Sequence, residues 1–332
     1  MPNTGDTRGA VLVTGGAGYI GSHAARQLVE AGERVIVVDD LSKGFRGAVT
    51  GGELVVGDCG DQGLIGRLLE EHAVEAVMHF AAHTVVPESV AEPLKYYHNN
   101  TVKAHRLIAA CVNAGVEHFI FSSTAAVYGI PESGTASEQT STLPINPYGS
   151  SKLMTEWILR DTAAATALRH VTLRYFNVAG SDPGGRIGQS TPEATLLIKV
   201  ACEAATGKRD SVTIFGVDYP TPDGTGVRDY IHVEDLADAH LKALSYLRDG
   251  GESTTLNCGY GHGYSVREVL GAVERVCGGK LVIKEASRRP GDPPVLIANA
   301  ARILDVLDWS PRYDDLDAIV EHSLAWERAP RY

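Results

Sequence analysis

Short apolar runs alternate with longer stretches of helical periodicity through the first half of the chain. The apolar runs occupy residues 10–14, 34–39, 53–58, 76–81, 118–123 and 170–176. The helical stretches lie at residues 22–31, 63–72, 94–113 and 147–162. Strands that are apolar on both faces are covered on both sides, as in a parallel sheet whose crossovers are helices. The alternation therefore predicts an α/β fold with a doubly wound parallel sheet of the Rossmann type.

The pattern changes after Phe176. Residues 177–192 and 218–228 are rich in Gly, Pro and Asp, and the strands and helices that follow are shorter. We therefore expect a Rossmann domain at residues 1–176 and a smaller α/β domain at residues 177–332 that binds the substrate. Residues 230–259 are expected to return to the first domain and to extend its sheet.

Charge and cysteine content narrow the range of partners. The 332 residues include 30 Lys and Arg against 41 Asp and Glu, a formal net charge of −11, whereas nonspecific nucleic-acid binding needs a basic surface. The five cysteines are far apart and form no CxxC pair, so neither disulfides nor a metal site are predicted. No apolar run reaches the roughly 18 residues of a membrane helix. The first ten residues, MPNTGDTRGA, lack the features of a signal peptide. The composition predicts a cytoplasmic protein that binds neither nucleic acid nor membrane.

A glycine-rich turn links the first predicted strand to the first helix. Residues 14–21 read TGGAGYIG, which places Gly15, Gly18 and Gly21 at the spacing of a dinucleotide-binding turn. Gly15 permits the tight turn, Gly18 lets the backbone approach a pyrophosphate, and Gly21 allows close helix–strand packing. The pyrophosphate is expected at the helix N-terminus, with Tyr19 and Ile20 among its contacts.

The next two predicted strands end in acids. A carboxylate at Asp39 would accept hydrogen bonds from both ribose hydroxyls of an adenosine and would repel a 2′-phosphate, so NAD is predicted rather than NADP. Asp58 is placed to meet the adenine. A turn that binds nothing is the alternative for a glycine motif alone, but here strand, turn, helix and acid occur in register.

A tyrosine and a lysine lie one helical turn apart on the fourth predicted helix. Charged Lys152 would stabilise a tyrosinate, and oxidised nicotinamide adds a second positive charge, so Tyr148 is predicted to act as a base near neutral pH. Ser122, Ser123 and Thr124 follow the fifth strand, at the edge where such sheets bind ligands. Thr124 is expected to bridge a substrate hydroxyl and the phenol. A YxxxK spacing alone is common on helices, and its combination with the glycine turn gives it weight.

Taken together, the motifs resemble those of a known superfamily. The extended short-chain dehydrogenases/reductases have motifs similar to TGGAGYIGSH, SSTAAVYG and YGSSK. The resemblance narrows to the UDP-glucose 4-epimerases (UDP-galactose 4-epimerases) through NVAG, GTGVRDYIHVEDLADAH and RRPGD, and it covers nearly the whole chain. It implies bound NAD, a UDP-hexose substrate and isomerisation at C4 through a transient 4-keto sugar. Tyr148, Lys152 and Thr124 match the family's catalytic base, lysine and hydroxyl.

The resemblance also implies further ligand contacts. On the cofactor side they are Cys59, Phe80, Ala81, Ala82, Asn99, Ser122 and Tyr175, besides Tyr148 and Lys152. On the substrate side, besides Thr124 and Tyr148, they are Asn177 at the UDP phosphates, Arg228 and Arg289 as a diphosphate clamp, and Asp292 at the uridine ribose. Some members have a lysine after the fourth strand, but residues 81–85 read AAHTV. Weaker cofactor retention is therefore expected.

Leu296 takes the position of a residue that lines the sugar pocket in this family. Tyrosine there narrows the pocket near the C2 substituent, whereas leucine is shorter and carries no phenol. The N-acetylated UDP-hexosamines are therefore expected as further substrates. The alternative is that Leu296 is a core residue of a strand at residues 295–298.

Two other functions are compatible with the same fold. A nucleotide-sugar 4,6-dehydratase needs an acid and a base directly after the threonine, but Thr124 is followed by Ala125 and Ala126. A non-catalytic dinucleotide-sensing regulator can lose the Tyr or the Lys, and both are present here. The helices at residues 94–113 and 147–162 are apolar enough to pair with a second copy and, with the resemblance, predict a homodimer.

Overall fold

A parallel sheet of seven strands forms the centre of the computed structural model, which describes residues 9–289 and 291–332. Two parts of the chain lie outside the described residues: residues 1–8, which belong to the segment predicted not to be a signal peptide, and Pro290 of the RRPGD motif. The strands are β1 (Ala10–Thr14), β2 (Val35–Asp39), β3 (Glu53–Val56), β4 (Val74–His79), β5 (His118–Thr124), β6 (Thr135–Ala136), β7 (Arg169–Tyr175), β8 (Asn177–Ala179), β9 (Val212–Phe215), β10 (Val227–Arg228), β11 (Tyr230–His232), β12 (Thr254–Cys258), β13 (Tyr264–Ser265), β14 (Ile283–Ala286) and β15 (Val295–Ala298).

Helices follow most of the sheet strands, as parallel crossovers require. They are α1 (Tyr19–Glu30), α2 (Gln62–Glu71), α3 (Val86–Ala91), α4 (Pro93–Tyr96), α5 (Lys103–Ala114), α6 (Pro147–Ala165), α7 (Leu197–Ala205), α8 (Val233–Arg248), α9 (Val266–Cys277), α10 (Ala301–Leu307) and α11 (Leu316–Arg328). A π-helical segment, Tyr97–Val102, joins α4 to α5. No described helix combines the length and the apolar character that crossing a membrane requires.

The central sheet has the strand order β12-β7-β5-β4-β1-β2-β3, and each neighbouring pair is parallel. The carboxyl ends of all seven strands therefore lie at one edge. The predicted doubly wound α/β fold is confirmed. β4 ends two residues earlier than expected, because the amides of Phe80 and Ala81 both turn to the carbonyl of Thr14, at 2.9 and 3.1 Å.

The second half of the chain is joined to this sheet at one strand and surrounds its carboxyl edge with smaller units. β12 pairs with β7, and α8 packs against α1. A four-stranded sheet has the order β13-β10-β15-β6, while β8 pairs with β11 and β9 with β14. Helices α7, α9 and α11 bury a separate apolar cluster that includes Ile198, Val269 and Leu324. This arrangement sets β10 and β15 beside the loops that follow the central strands.

Candidate active site

The glycine turn after β1 is closed by contacts that only glycine allows. Gly15 has φ +73°, and a Cβ there would lie 2.5 Å from the backbone nitrogen of Ala81. A Cβ on Gly21 would lie 2.3 Å from the carbonyl oxygen of Gly15. A side chain at either position would clash with the backbone, so packing within the chain requires glycine at the first and third positions of the motif.

The middle glycine and the start of α1 fit a bound pyrophosphate. A Cβ on Gly18 would meet only the Gly15 carbonyl oxygen within 4 Å, at 3.2 Å, so among the described residues little occupies that space. Gly18 is the N-cap of α1 and supplies no side-chain hydrogen bond, and the first turn contains no acid. The next residue, Tyr19, directs its phenol to the Gly180 carbonyl at 2.7 Å, while Ile20 packs against the core. The helix end is thus a suitable anion site.

Asp39 lies at the end of β2 beside the glycine turn. Its carboxylate accepts hydrogen bonds from the backbone N–H groups of Ala17, at 3.0 Å, and Leu41, at 2.8 Å. Burial raises the pKa of Asp39, although these two hydrogen bonds oppose the shift. Each carboxylate oxygen keeps a lone pair, so the geometry is compatible with the predicted ribose contact.

Asp58 has a partner that the sequence pattern did not indicate. It lies two residues beyond β3, and its carboxylate is 2.8 Å from the Lys103 ammonium and accepts the Gly60 N–H at 2.8 Å. Burial alone would raise the pKa of Asp58, but these two donors outweigh it and the pKa is lowered. The neighbouring Cys59 is buried, which raises the pKa of its thiol to about 12.

The loop after β4 is held by an asparagine. Asn100 accepts the His83 N–H at 2.8 Å and donates to the His83 carbonyl at 3.0 Å, while Asn99 donates to the Asn100 side chain at 3.2 Å. These bonds fix the lysine-free segment that continues from Ala82. Asn100 is therefore a buried structural residue, and Asn99 is the more accessible of the two.

Thr124, Tyr148 and Lys152 come together at the carboxyl edge of the sheet. Thr124 ends β5 and accepts the Ala126 N–H at 3.1 Å, and its hydroxyl is hydrogen-bonded to the Tyr148 phenol. Lys152 follows Tyr148 by one turn of α6 and donates to the Ser122 carbonyl at 2.8 Å. All three predicted catalytic side chains are buried.

Burial shifts the two titratable members of this set in opposite directions. It raises the pKa of Tyr148, and the hydrogen bond with Thr124 offsets only part of the rise. It lowers the pKa of Lys152 to about 7. The described side chains therefore do not lower the pKa of Tyr148 toward neutral pH. The predicted base function depends on positive charge facing the phenol, from protonated Lys152 and from an oxidised nicotinamide.

A histidine that the sequence analysis did not single out belongs to the same edge. His240 on α8 is 3.0 Å from the Ser122 hydroxyl, which is also hydrogen-bonded to the Tyr175 phenol. The His240 ring lies 4.6 Å from the Phe80 ring. Burial lowers the pKa of His240 to about 4, so its ring is neutral. The predicted cofactor contacts Ser122, Phe80 and Tyr175 thus share one buried neighbour.

The two residues of the predicted diphosphate clamp lie on β10 (Arg228) and in the loop between β14 and β15 (Arg289). Burial lowers the pKa of Arg228, and its guanidinium donates only to the Val227 carbonyl, at 2.8 Å, among the contacts of the described residues. Arg289 is more exposed and donates to Asp292 at 2.8 Å. Asp292 interacts with both arginines: it forms an ion pair with Arg289, and its charge raises the pKa of Arg228 against the effect of burial. A partly buried guanidinium that has no ion-pair partner among the described residues favours an anionic ligand.

The sequence analysis did not single out two aromatic residues near the predicted clamp, Phe215 and Tyr219. The Arg289 guanidinium lies 5.0 Å from the Phe215 ring centre. The Tyr219 hydroxyl is buried and has no hydrogen-bond partner among the described residues. The local sequence could not indicate these side chains, because residues such as Phe215 and Arg289 are about 70 positions apart and meet only in the folded chain.

The remaining predicted substrate residues lie on the adjoining short strands. Asn177 lies on β8, in register with Tyr230 of β11. Its N–H donates to the carbonyl of Asp229, the residue just before Tyr230, at 2.9 Å. Leu296, on β15, is in register with Arg228 and packs partly against the core. The fold therefore brings the predicted substrate residues together around β10.

Comparison with known proteins identifies relatives along most of the chain. The model of the NAD dependent epimerase/dehydratase family matches residues 11–259. A UDP-glucose 4-epimerase of Azospirillum brasilense is 58% identical over 320 residues, covering 96% of this chain and 92% of that protein. The crystal structure of UDP-glucose 4-epimerase from Brucella ovis in complex with NAD has a TM-score of 0.93 and 43% identity, covering 96% of this chain and 98% of that chain. The UDP-Glc/GlcNAc 4-epimerase of Campylobacter jejuni has a TM-score of 0.85 and 48% identity, covering 97% and 99%. The chain therefore belongs to the NAD dependent epimerase/dehydratase family and, within it, to the group of UDP-glucose 4-epimerases.

Proposed function

We propose that this chain is an isomerase that uses NAD to interconvert UDP-glucose and UDP-galactose at C4 through a transient 4-keto sugar. The observation that carries the proposal is the buried set of Thr124, Tyr148 and Lys152, at the same sheet edge as the glycine turn. The guanidinium of Arg228, which has a backbone carbonyl but no carboxylate as partner among the described residues, supports a diphosphate-linked substrate.

The chain's own groups account for proton transfer and orientation. NAD, when bound, supplies reversible hydride transfer at C4 of the sugar. Tyr148 takes the proton of the 4-hydroxyl, and Thr124, which shares a hydrogen bond with the phenol, orients that hydroxyl. Lys152, held by the Ser122 carbonyl, supplies the charge that favours the tyrosinate. Epimerisation requires both faces of C4 in turn, so the diphosphate must stay bound while the hexose rotates.

The two halves of the chain divide the ligands in this proposal. Residues 1–176, extended by residues 230–259, hold NAD, because the glycine turn and Asp39 lie there. Residues 177–332 hold the UDP-sugar. In support, the extension contributes β12 to the central sheet and α8 to its packing, whereas Arg228 lies on β10 of the four-stranded sheet and Asp292 lies in the loop before β15.

The name of the family includes a second activity, dehydration, and a 4,6-dehydratase is therefore the alternative function. Water loss needs an acid and a base beside the keto sugar. Thr124 is followed here by Ala125 and Ala126, in a 3₁₀ turn that ends at Tyr128. Neither alanine has a titratable group, so the geometry favours epimerisation.

The direct test is to incubate the purified protein with UDP-galactose and to separate the products. We expect UDP-glucose to accumulate to a constant ratio, with no net reduction of NAD. A 4-keto-6-deoxy sugar would indicate a dehydratase. Unchanged UDP-galactose, with no cofactor released on denaturation, would favour a dinucleotide-sensing regulator.

Leu296 extends the proposal to the N-acetylated UDP-hexosamines. Its side chain is shorter than tyrosine, and it lies in register with Arg228 on the neighbouring strand. The Campylobacter jejuni relative is a UDP-Glc/GlcNAc 4-epimerase. We therefore expect the C2 acetamido group to fit the sugar pocket.

Replacing Arg228 by methionine should weaken substrate binding. The variant keeps the apolar stem and removes the partly buried charge, so KM for UDP-glucose should rise about 10- to 100-fold, the range for one hydrogen bond to a charged group. We expect kcat to change much less. The matched control is Arg275→Met, because Arg275 is 61% exposed and pairs with Asp317 at the surface. An unchanged KM in the Arg228 variant would contradict the clamp.

A homodimer is also part of the proposal. The two segments predicted to pair, residues 94–113 and 147–162, leave four large apolar side chains exposed: Leu94, Val102, Met154 and Trp157. Sedimentation of the protein at micromolar concentration should give twice the chain mass of 35.3 kDa, and Trp157→Glu should give a monomer. Val282→Glu, at an exposed apolar residue of the other half, should remain a dimer. A monomeric wild type would contradict this part.

We also propose a cytoplasmic location. The five cysteines are all free thiols, and four of them are buried. Buried reduced thiols are typical of proteins that stay in a reducing compartment.

A further inference from the structure

Glu156 is a buried carboxylate one helical turn beyond Lys152 on α6. Tyr148, Lys152 and Glu156 follow at intervals of four residues, so they lie on the same helical face. All three are buried. Burying a carboxylate is costly unless charged or polar groups satisfy it. The partners of Glu156 therefore indicate what the residue does.

Those partners lie at the ends of two central strands. Glu156 Oε1 accepts hydrogen bonds from the Ser123 hydroxyl and from Arg174 Nε, the latter at 3.0 Å. Its Oε2 accepts Arg174 Nη2 at 2.5 Å. Ser123 and Arg174 are opposite each other in the β5–β7 register, and the next pair is Thr124 with Tyr175. The carboxylate thus ties α6 to the strand ends that carry the hydroxyl residues of the site.

The charge of the same carboxylate acts on the Lys152 ammonium, which lies one turn earlier on α6. Burial lowers the pKa of Lys152 to about 7, and the charge of Glu156 opposes this shift. Without that charge the lysine would lose its proton at a lower pH. The other side of the ammonium is apolar, since the Phe121 ring centre is 5.0 Å from Nζ.

The remaining titratable groups of this part of the site come from four elements. His79 on β4 interacts with the Lys152 charge, and Tyr148 lies one turn before Lys152 on α6. Arg174 on β7 pairs with Glu156, while Tyr175 on β7 and His240 on α8 adjoin Ser122. Burial lowers the pKa of His79 to about 3 and that of His240 to about 4, so both rings are neutral. Among the described residues, Glu156 is the carboxylate whose charge acts on Lys152.

We propose that Glu156 is a positioning residue for the epimerase reaction, whose carboxylate fixes the strand end that carries Thr124 and supplies the negative charge that keeps Lys152 protonated. This proposal rests on the proposed function. It assigns Glu156 no contact with the substrate. Its effect reaches the sugar hydroxyl through Thr124 and through Lys152 and Tyr148.

The test is Glu156→Gln in the NAD-bound enzyme, with kcat for UDP-galactose measured against pH. The loss of the negative charge lowers the pKa of Lys152, so the alkaline limb should move to lower pH by about one unit. This is less than the roughly three units of a bare charge pair 4 Å apart at an effective dielectric constant of about 20, because Arg174 offsets part of the carboxylate charge. KM should change little. Glu156→Asp keeps the charge and should restore most of the wild-type profile.

A second readout does not depend on the sugar. The ultraviolet titration of tyrosinate, taken as wild type minus Tyr148→Phe, follows the ionisation of Tyr148. With Lys152 neutral, Tyr148 should ionise at higher pH in the Glu156→Gln background. If the wild type does not epimerise UDP-galactose, the proposed function fails, while this titration still tests the role of Glu156.

Stability effects are separated by two further variants. Glu156→Gln leaves the Arg174 charge unpaired and can destabilise the fold. E156Q combined with R174Q removes both opposite charges, so it should displace the limb less than E156Q alone. Glu327→Gln removes another buried carboxylate, which pairs with Lys199 in the second half, and should leave the profile unchanged. A wild-type profile in the folded E156Q variant, or a double variant displaced as far as E156Q, would overturn the proposal.

Discussion

Epimerase turnover should fall by at least about 10²-fold when Tyr148 is replaced by phenylalanine, the lower range for a positioned acid–base group. The variant loses the phenol that is hydrogen-bonded to Thr124 and keeps the buried ring, which meets the Tyr96 ring edge-on at 6.5 Å. NAD should therefore stay bound. The measurement is kcat for UDP-galactose together with the NAD released on denaturation.

The matched control for this experiment is Tyr246→Phe. Tyr246 lies on α8, half-buried and outside the site, so the loss of its hydroxyl should change turnover by less than a few-fold. Equal thermal unfolding temperatures for the wild type and Tyr148→Phe would show that the loss is chemical. Near-full activity of Tyr148→Phe would rule out the tyrosine as the base.

Selectivity for the sugar should change when Leu296 is replaced by tyrosine. We expect kcat/KM for the N-acetylated UDP-hexosamines to fall by at least about 10²-fold, while that for the plain UDP-hexoses changes by only a few-fold. A missing methylene in an apolar pocket is worth about 1–3 kcal/mol, but a steric clash with the acetamido group costs more. The measurement is kcat/KM for both substrate pairs on both proteins.

The competing interpretation is that Leu296 serves only the core, since it packs partly against it. In that case Leu296→Tyr would destabilise the protein and lower both activities equally. Leu296→Met keeps the volume and should preserve both activities. Wild-type protein that fails to turn over the N-acetylated sugars would contradict the pocket assignment directly.

The central sheet was predictable because its evidence is local. Each buried strand is one apolar run, and the helical periodicity between the runs predicts the crossovers. Tyr148 and Lys152 were also local, since one helical turn fixes their relation. Thr124 was found because it ends a strand, and parallel strands bring their carboxyl ends to one edge.

The ion pairs and buried polar contacts of the site were not predictable in the same way. Asp58 is paired with Lys103, and Glu156 is paired with Arg174 across two elements. His240 reaches Ser122 over 118 positions of sequence. Such pairs depend on tertiary packing, and nothing in the local pattern distinguishes these side chains from solvated ones. The lowering of the tyrosine pKa was likewise expected from spacing, whereas burial acts in the opposite direction.

The return of β12 to the edge of the central sheet constrains protein engineering. The chain leaves that sheet after β7, builds β8 to β11 and α7, and comes back at Thr254–Cys258 before its last strands and helices. A graft of a new sugar-recognition module therefore cannot be made by a single crossover after residue 176. It would have to exchange two separate segments, on either side of α8 and β12, and leave those two elements with the recipient.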